Sequence, residues 1–180
     1  TAWLAEHTGE TISADHPACL EARERTQHRI EALLHTKGNT PVDSFHRELG
    51  AVMIELCGIS RDANGLKEGL QKVAGLKHRF EHEVKVPGEA HGPNAELEKA
   101  LRVSDFFGLA QLMLLDALAR EESCGAHFRE EHQSPEGEAR RDDVNFSHIA
   151  AWEHNGDKEP IRHCESLHFS TLKPSTRSYK

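Results

Sequence analysis

Apolar residues recur at intervals of three and four positions in four segments between residues 17 and 123. This spacing places them on one face of an α-helix, and it therefore predicts four amphipathic helices that bury these faces against one another. The predicted buried stripes are Ile30, Leu33 and Leu34; Phe45, Leu49, Val52, Met53 and Leu56; Leu66, Leu70, Val73, Ala74 and Phe80; and Leu97, Leu101, Phe107, Leu114 and Leu118.

Residue types that favour helix ends separate the four segments. Proline fits the first turn of a helix, and short polar side chains accept hydrogen bonds from the free N–H groups there. The predicted start signals are Pro17 after Asp15-His16, a capping box of Thr40 and Asp43, then Ser60, then Asn94. The predicted stop signals are Gly38-Asn39, Cys57-Gly58 and Pro87-Gly88.

The fourth segment carries further large apolar residues outside its stripe, namely Phe106, Leu109, Leu112 and Leu115. A helix that is apolar on most sides is buried among several neighbours, and we expect this position for the fourth helix.

The tail from residue 124 to 180 is rich in charge, histidine, glycine and proline, and it contains two strand-like runs, Phe146–Trp152 and Leu167–Leu172. Its apolar content is too low for it to fold alone. Its large apolar groups are too many for a solvated linker, so we expect the tail to lie on a partner surface. That surface could be the helices, an N-terminal part or another subunit. The groups are Phe128, Phe146, Ile149, Trp152, Phe169 and Tyr179.

The predicted fold class is therefore all-α. Residues 1–16 form an irregular lead, residues 17–123 form a bundle of three to four helices with up-down, spectrin-repeat-like order, and residues 124–180 form a largely irregular tail with short strands.

Composition narrows the possible functions. The formal net charge of -8 argues against nucleic-acid binding, and no apolar run approaches the length of a membrane span or a signal peptide. The four cysteines form no C-x-x-C pair, which favours reduced thiols in a cytosolic setting. Because the sequence opens at Thr1, we expect a truncated or processed product.

Histidine is frequent but scattered, with 14 residues. Only His78 and His82, four positions apart on a predicted helix, could chelate a metal from one face, and Glu81 and Glu83 do not complete an H-E-x-x-H motif. We interpret this pair as a solvated helix face and predict no metal site.

A distinctive run follows the fourth segment: Glu122-Ser123-Cys124-Gly125-Ala126-His127-Phe128-Arg129, and later Arg141-Asp142-Asp143. This pattern resembles the carboxy-terminal signature of succinate dehydrogenase and fumarate reductase flavoprotein subunits, in which an E-S-R-G-x-H-x-R type motif precedes an R-D-D segment. The stretches Phe45–Leu49 and Asn94–Leu101, with Met53, Gly58 and Arg61, are similar to the same domain, so the resemblance covers nearly the whole chain.

The sequence departs from the commoner family pattern at two places. Cys124 stands where many relatives have arginine, and the loop between Arg129 and Arg141 is longer. Both features resemble a branch of the family that is found with a single cytochrome b anchor subunit. L-Aspartate oxidase has a similar helical domain and motif, but the long tail and the R-D-D segment favour the succinate/fumarate side.

The resemblance implies that the complete protein interconverts succinate and fumarate through FAD and passes electrons to an iron–sulfur subunit and quinone. It also implies contact with N-terminal flavin-binding and capping domains, an indirect link to a membrane anchor, and a peripheral position on the cytoplasmic side of the inner membrane. The sequence has no G-x-G-x-x-G motif, so we expect no cofactor-binding residue in this chain. The resemblance implies that the family's catalytic groups belong to the upstream domains, so we expect no catalytic residue here either.

The motif residues have two possible roles. His127 could shuttle protons and Arg129 could clamp a carboxylate, but we favour an interdomain lock, because the family's catalytic groups lie outside this region. We expect Gly125 to end the helix, and we expect a larger side chain there to be damaging. The interdomain-docking candidates are Ser123, Gly125, His127, Arg129, Arg141, Asp142 and Asp143.

Two of these assignments have alternatives. The segment Arg140, Arg141, Asp142 and Asp143 could instead form a solvated loop, and Cys124 could be an oxidation-sensitive thiol rather than a small buried side chain. We interpret Glu121 and Glu122 as an ordinary charged helix end. At the level of function, the alternatives to a flavoprotein domain are a stand-alone helical adaptor and a small metal-dependent enzyme.

Overall fold

A computed structural model describes residues 6, 9, 13–156, 158–172 and 174–175. Most of the predicted lead, 1–16, and Tyr179 lie outside these residues. The described part contains four long helices: α1 (Pro17–His35), α2 (Val42–Leu56), α3 (Ala63–Glu83) and α4 (Ala95–Ala119). A short helix, α5 (Asp143–Phe146), lies in the tail. The short strands are β1 (Thr40–Pro41), β2 (Ser60–Arg61), β3 (Val84–Lys85), β4 (Phe128–Arg129), β5 (His148–Glu153) and β6 (Ile161–Ser166).

Two helix starts are as the sequence predicted. The His16 ring accepts a hydrogen bond from the Ala18 N–H (3.2 Å), and Pro17 occupies the first turn of α1. The Asn94 side chain accepts a hydrogen bond from the Leu97 N–H (3.0 Å) at the start of α4. Each side chain replaces water for a backbone donor that has no partner within its own helix.

The other two predicted caps are wrong. Pro41 precedes α2 without any side-chain cap, because Thr40 and Pro41 pair as β1 with β3 instead. Ser60 belongs to β2, and Asp62 caps α3 by accepting hydrogen bonds from the Asn64 and Gly65 N–H groups (2.9 and 3.0 Å). Tertiary strand pairing determines both differences, and sequence-local capping patterns do not contain that information.

Two helices end earlier than predicted. α1 stops at His35 rather than at Gly38-Asn39, and α3 stops at Glu83 rather than at Pro87-Gly88 because Val84 begins β3. Gly38 still has a physical function: a Cβ atom there would lie 1.8 Å from the Glu83 carbonyl oxygen, so only glycine permits this close approach.

The core lies where α2, α3 and α4 meet. Phe80 is its centre, with its ring edge-to-face to Phe45 (centroids 5.3 Å apart) and tilted against Phe107 (5.4 Å). Such aromatic pairs add about 0.5–1.5 kcal/mol each beyond the burial of their area. The predicted Ala74 is exposed, and Leu76 is buried instead. The other buried apolar side chains include Leu33, Val42, Leu49, Leu66, Val73, Val84, Val86, Leu97, Val103 and Leu114.

α4 is less enclosed than its composition predicted. Phe106 and Leu109 are 39% and 56% exposed, whereas Leu112 and Leu115 are half-buried. α1 contributes a single buried side chain, Leu33, and contacts α4 through the Arg29 guanidinium, which donates to the Leu101 carbonyl and to Asp105. One side of α4 therefore remains open to solvent.

The tail is only partly irregular. β4 pairs in parallel with β2, and β5 pairs with β6 as an antiparallel hairpin. The first predicted strand run overlaps β5, whereas the second, Leu167–Leu172, is not a strand. β6 was missed because its side chains are nearly all exposed and show no apolar alternation. The Trp152 indole N–H donates to Asp116 on α4 (2.9 Å), so the hairpin contacts the helices.

The structure is a helical domain with short strands, as predicted; the up-down, spectrin-repeat-like order stays a prediction. None of the helices in the described ranges is long and apolar enough to cross a membrane.

The α3–α4 contact gives a test of the core. A Cβ atom on Gly69 would lie 2.7 Å from a methyl group of the fully buried Leu114, whereas one on Gly75 of the same helix would meet nothing within 4 Å. Alanine favours a helix more than glycine does, and both variants gain this advantage. The difference between their stabilities therefore measures the crowding against Leu114. We expect Gly69→Ala to be about 1–3 kcal/mol less stable than Gly75→Ala in urea unfolding. Equal stabilities would show that the two helices pack less closely.

Candidate functional site

The segment after α4 turns back sharply at Gly125. Cys124 and His127 exchange two backbone hydrogen bonds, from the Cys124 N–H to the His127 carbonyl (2.8 Å) and from the His127 N–H to the Cys124 carbonyl (3.1 Å). Gly125 has φ +60°, as the first central residue of a type II′ hairpin turn requires. The prediction that Gly125 ends the helix is wrong, because α4 ends at Ala119. No atom crowds a Cβ there, so backbone conformation alone disfavours a side chain.

Arg129 lies at the C-terminal end of α4. Its side chain is 3% exposed, and its Nη1 donates to the carbonyl oxygens of Ala117 (2.9 Å) and Leu118 (3.2 Å), with a longer bond to Arg120 (3.4 Å). The last carbonyl groups of a helix have no partner within the helix and carry partial negative charge. The guanidinium satisfies these acceptors and complements the helix dipole at the same time.

Ser123 and His127 complete the turn around Arg129, and we call residues 123–129 the Arg129 turn. The buried Ser123 hydroxyl accepts from the Arg129 N–H (2.8 Å) and donates to the Arg129 carbonyl (3.1 Å). The His127 Nε2 lies 2.8 Å from the Arg120 carbonyl, and it donates because a carbonyl can only accept. Burial lowers the pKa of His127, and three nearby arginines lower it further. The hydrogen bond to the Arg120 carbonyl raises the pKa, but by less than these effects lower it. The ring is therefore neutral near pH 7.

Glu122 connects this turn to the R-D-D segment. It is 2% exposed; one carboxylate oxygen accepts two hydrogen bonds from the Arg120 guanidinium (2.8 and 2.5 Å), and the other accepts from the Asp142 N–H (2.8 Å). The interpretation of Glu122 as an ordinary charged helix end is wrong. Glu122 therefore has a structural role. Removing one of its partners would leave a charged carboxylate buried without compensation, which is strongly destabilising.

The strand β4 attaches the same turn to α3. Phe128 and Glu130 donate from their backbone N–H groups to the carbonyl oxygens of Ile59 (3.1 Å) and Arg61 (3.0 Å). Glu131 accepts from the Ala63 N–H at the start of α3 (2.5 Å) and from the Arg129 Nε (3.2 Å). Burial raises the pKa of the Glu131 carboxyl, but these hydrogen bonds outweigh it and lower the pKa from 4.5 to about 2.

The R-D-D segment forms local bonds at a more exposed position. Arg141 pairs with Asp143 (2.5 Å) and donates to the Ser175 carbonyl (3.1 Å). Asp142 caps α5 by accepting from the backbone and side-chain N–H groups of Asn145, which lower the pKa of Asp142.

The described residues offer no metal site: no group of three or more potential ligands lies together among them. The His78 and His82 rings stack with centroids 4.3 Å apart, and the His82 Nδ1 is bonded to the His78 carbonyl (2.7 Å). Cys57 is buried and Cys124 half-buried, both as free thiols, and burial raises the pKa of Cys57 despite the nearby Arg61.

The sequence of this region identifies its family. Residues 46–179 match the family model described as fumarate reductase flavoprotein C-term. The chain belongs to this family. The match extends from the first turns of α2 through the Arg129 turn to the end of the tail.

Individual relatives agree with the family match. The chain is 31% identical over 179 residues to a fumarate reductase flavoprotein subunit of Serratia sp., and the alignment covers 97% of this chain and 29% of the relative. It is 29% identical over 177 residues to the subunit of the same name from Escherichia coli. An L-aspartate oxidase of Ralstonia nicotianae is 34% identical over 108 residues, 58% of this chain. The chain thus spans less than a third of the length of the fumarate reductase flavoprotein subunits that it matches.

Solved structures share the fold. A quinol–fumarate reductase with menaquinol molecules superposes with a TM-score of 0.76 and 27% identity over 95% of this chain and 28% of the other. A mutant E. coli quinol fumarate reductase gives a TM-score of 0.70 with 26% identity over 94% of this chain and 28% of the other.

In this fumarate reductase flavoprotein C-terminal region, the predicted candidates fall into two groups. Ser123, Gly125, His127 and Arg129 form one hydrogen-bonded turn, whereas Arg141, Asp142 and Asp143 form a separate cluster. Their role in docking to another domain stays a prediction. Sequence reasoning missed Glu122, which joins the two clusters, and Glu131, which joins the turn to α3. The signal for Glu122 was its place at the first position of the E-S-R-G type motif, whereas no spacing in the sequence indicates the contact of Glu131.

Replacing Arg129 tests the turn. Arg129→Ala removes the hydrogen bonds of Nη1 to the Ala117, Leu118 and Arg120 carbonyl groups and the Nε bond to Glu131, so we expect a loss of about 3 kcal/mol in the free energy of unfolding. Arg102→Ala is the matched control: this exposed arginine of α4 pairs only with Glu98 among the described residues, and its loss should cost about 0.5 kcal/mol or less. Similar losses in the two variants would contradict the anchoring role of Arg129.

The lowered pKa of Glu131 predicts an acid-dependent contribution to stability. A carboxyl whose pKa is depressed in the folded state stabilises fully above its unfolded pKa, and this stabilisation is lost as the pH falls through the folded value. The contribution of Glu131 should therefore be constant above 4.5 and disappear as the pH approaches about 2. Comparing the wild type with Glu131→Gln by thermal unfolding at each pH measures it. A difference that stays constant down to the lowest pH would contradict the assignment.

Proposed function

We propose that this chain is the C-terminal helical region of an FAD-dependent flavoprotein subunit whose complete form interconverts succinate and fumarate. The observation that carries the proposal is the family match, which includes the helices and the Arg129 turn in one continuous segment. In the complete protein, electrons pass from the flavin to an iron–sulfur subunit and then to quinone.

The residues present do not fit a flavin site. The sequence has no glycine-rich G-x-G-x-x-G turn, and the paired strands of the described ranges are two to six residues long with no strand–helix–strand unit of the dinucleotide-binding type. We therefore assign FAD and the catalytic groups to the part of the longer polypeptide outside this chain.

We assign this region a structural role in docking rather than a catalytic one. The Arg129 turn holds the tail on α4, and Glu122 holds the R-D-D segment on the turn. Both arrangements would present Arg141, Asp142 and Asp143 at a fixed position on the surface for docking to the flavin-binding and capping domains. The units 1–16, 17–123 and 124–180 serve as lead, helical domain and docking tail in this proposal.

The proposed partners follow from the same assignment. They are the flavin-binding and capping domains of the same polypeptide and an iron–sulfur subunit, with a membrane anchor reached only through the latter. The complete complex would then lie on the cytoplasmic side of the inner membrane. What supports a quinone-linked complex is that the similar solved structures are quinol–fumarate reductases, one of them with menaquinol molecules.

An L-aspartate oxidase is the second candidate, and the Ralstonia relative supports it. That similarity covers 58% of the chain, whereas the similarity to the Serratia fumarate reductase subunit covers 97%, including the tail. The longer match therefore favours the fumarate reductase assignment.

The reaction itself tests the assignment in the complete flavoprotein. We expect flavin absorbance at one FAD per chain, and reduction of fumarate or oxidation of succinate with an artificial electron donor or acceptor. Oxidation of L-aspartate without succinate turnover would support the second candidate instead, and a complete protein without flavin would contradict both.

Calorimetric titration of the 180-residue chain gives the complementary result. Because FAD and substrate are assigned to other domains, we expect no saturable heat with either FAD or succinate at micromolar concentrations. Saturable binding of either would show that the chain contains part of the active site.

A further inference from the structure

A shallow apolar groove lies between α2 and α4 on the open side of the domain. Its volume is about 200 Å³, and three of its side chains, Phe106, Leu109 and Met113, are 39%, 56% and 48% exposed. The groove is lined by His46, Leu49, Gly50, Met53, Phe106, Leu109, Ala110 and Met113. Large apolar groups that share an exposed face mark interaction sites more often than single exposed ones.

Both methionines of the sequence, Met53 and Met113, line this groove. The unbranched, polarisable methionine side chain adapts to the shape of a partner and is frequent at binding surfaces. Their joint position here distinguishes the groove from scattered exposed apolar residues such as Val144, which is 93% exposed in the tail.

A polar cavity of about 400 Å³ adjoins the groove, since Met113 lines both. Its polar lining consists of Arg61, Asp116, Arg120 and His127 together with the thiols of Cys57 and Cys124. The cavity thus lies beside the Arg129 turn, at the C-terminal end of the groove on α4.

Arg61 differs from Arg120, the other arginine of this cavity, because it has no carboxylate partner among the described residues. Its Nε is buried with no hydrogen-bond partner there, and its Nη1 lies 3.9 Å from the Cys57 sulfur. Arg120 is already paired with Glu122, and Asp116 accepts the Trp152 N–H. Arg61 thus lines the cavity without a carboxylate, and a carboxylate is the best-matched partner of a guanidinium group.

We propose that this groove and cavity form one docking surface for a segment of the remaining polypeptide. Apolar side chains of that segment cover Phe106, Leu109 and Met113, and one aspartate or glutamate of the segment enters the cavity and pairs with Arg61. This inference rests on the proposed function, because it takes the occupant from the longer flavoprotein chain.

The length of the remaining polypeptide and the charge of the cavity support this occupant. The chain spans 29% of the matching Serratia subunit, so a full-length protein of that size has a large remaining part available to cover this surface. The cavity favours a carboxylate because Arg61, which lines it, has no carboxylate partner among the described residues. A second copy of this chain and a separate subunit are the competing occupants.

The two methionines allow a direct test by limited oxidation with hydrogen peroxide and mass spectrometry. We expect Met113 to be oxidised about tenfold more slowly in the full-length flavoprotein than in this chain alone, since docking excludes the oxidant. In the full-length protein, Arg61→Gln should restore at least about a third of the lost reactivity, because the carboxylate would then lose its partner. Arg102→Gln, on the same domain but outside the groove and the cavity, should change nothing.

Control measurements distinguish docking from a folding defect and from a different occupant. Thermal unfolding of the Arg61→Gln chain alone identifies a variant that simply fails to fold, and Arg61→Lys, which keeps the charge, should retain most of the protection. Equal oxidation of Met113 in the chain and in the full-length, flavin-containing protein would overturn the docking surface while leaving the proposed function intact. Protection that requires a separate subunit, or that rises with the concentration of this chain, would overturn the assigned occupant. A full-length protein without flavin would instead contradict the proposed function.

Discussion

The described structure depends on one buried guanidinium, that of Arg129, placed against the C-terminal end of α4. Helix ends leave carbonyl groups without partners, and a buried cation without acceptors is equally unfavourable. Here the two requirements are met together, since Nη1 donates to the Ala117 and Leu118 carbonyl oxygens while Nε donates to Glu131. This interaction fixes where the chain goes after its longest helix.

The consequences of that interaction extend to the rest of the domain. With Arg129 in place, β4 lies along β2, and Glu131 reaches the first N–H group of α3. One short turn thus connects the end of α4 to the start of α3, two helices that also share the aromatic core. Ser123 and Arg129 stand on opposite sides of the predicted domain boundary at 123/124 and bond to each other, so this segment is mechanically coupled to the helices.

Periodicity predicted the helices and most of the core, because burial of an amphipathic face depends on spacing that the sequence contains. It could not predict that Asp62 rather than Ser60 caps α3, since that choice depends on β2 pairing with β4, which lies far along the chain. The motif included Glu122 along with Ser123, His127 and Arg129, but the role of Glu122 could not be predicted, because it depends on Asp142 approaching from the tail. Patterns within a short stretch of sequence thus identify the helices, whereas hydrogen bonds between residues distant in the sequence determine the geometry of the candidate site.

Amide hydrogen exchange of this chain alone tests the central claim most directly. If Arg129 anchors the turn on α4, the N–H groups of Phe128, Arg129 and Glu130 should exchange as slowly as those in the middle of α4, because each is bonded to the segment of Ile59 and Arg61 before α3 or to buried Ser123. Exchange as fast as that of the exposed Leu167–Leu172 segment would contradict it, and would mean that the turn is held only when other domains are present.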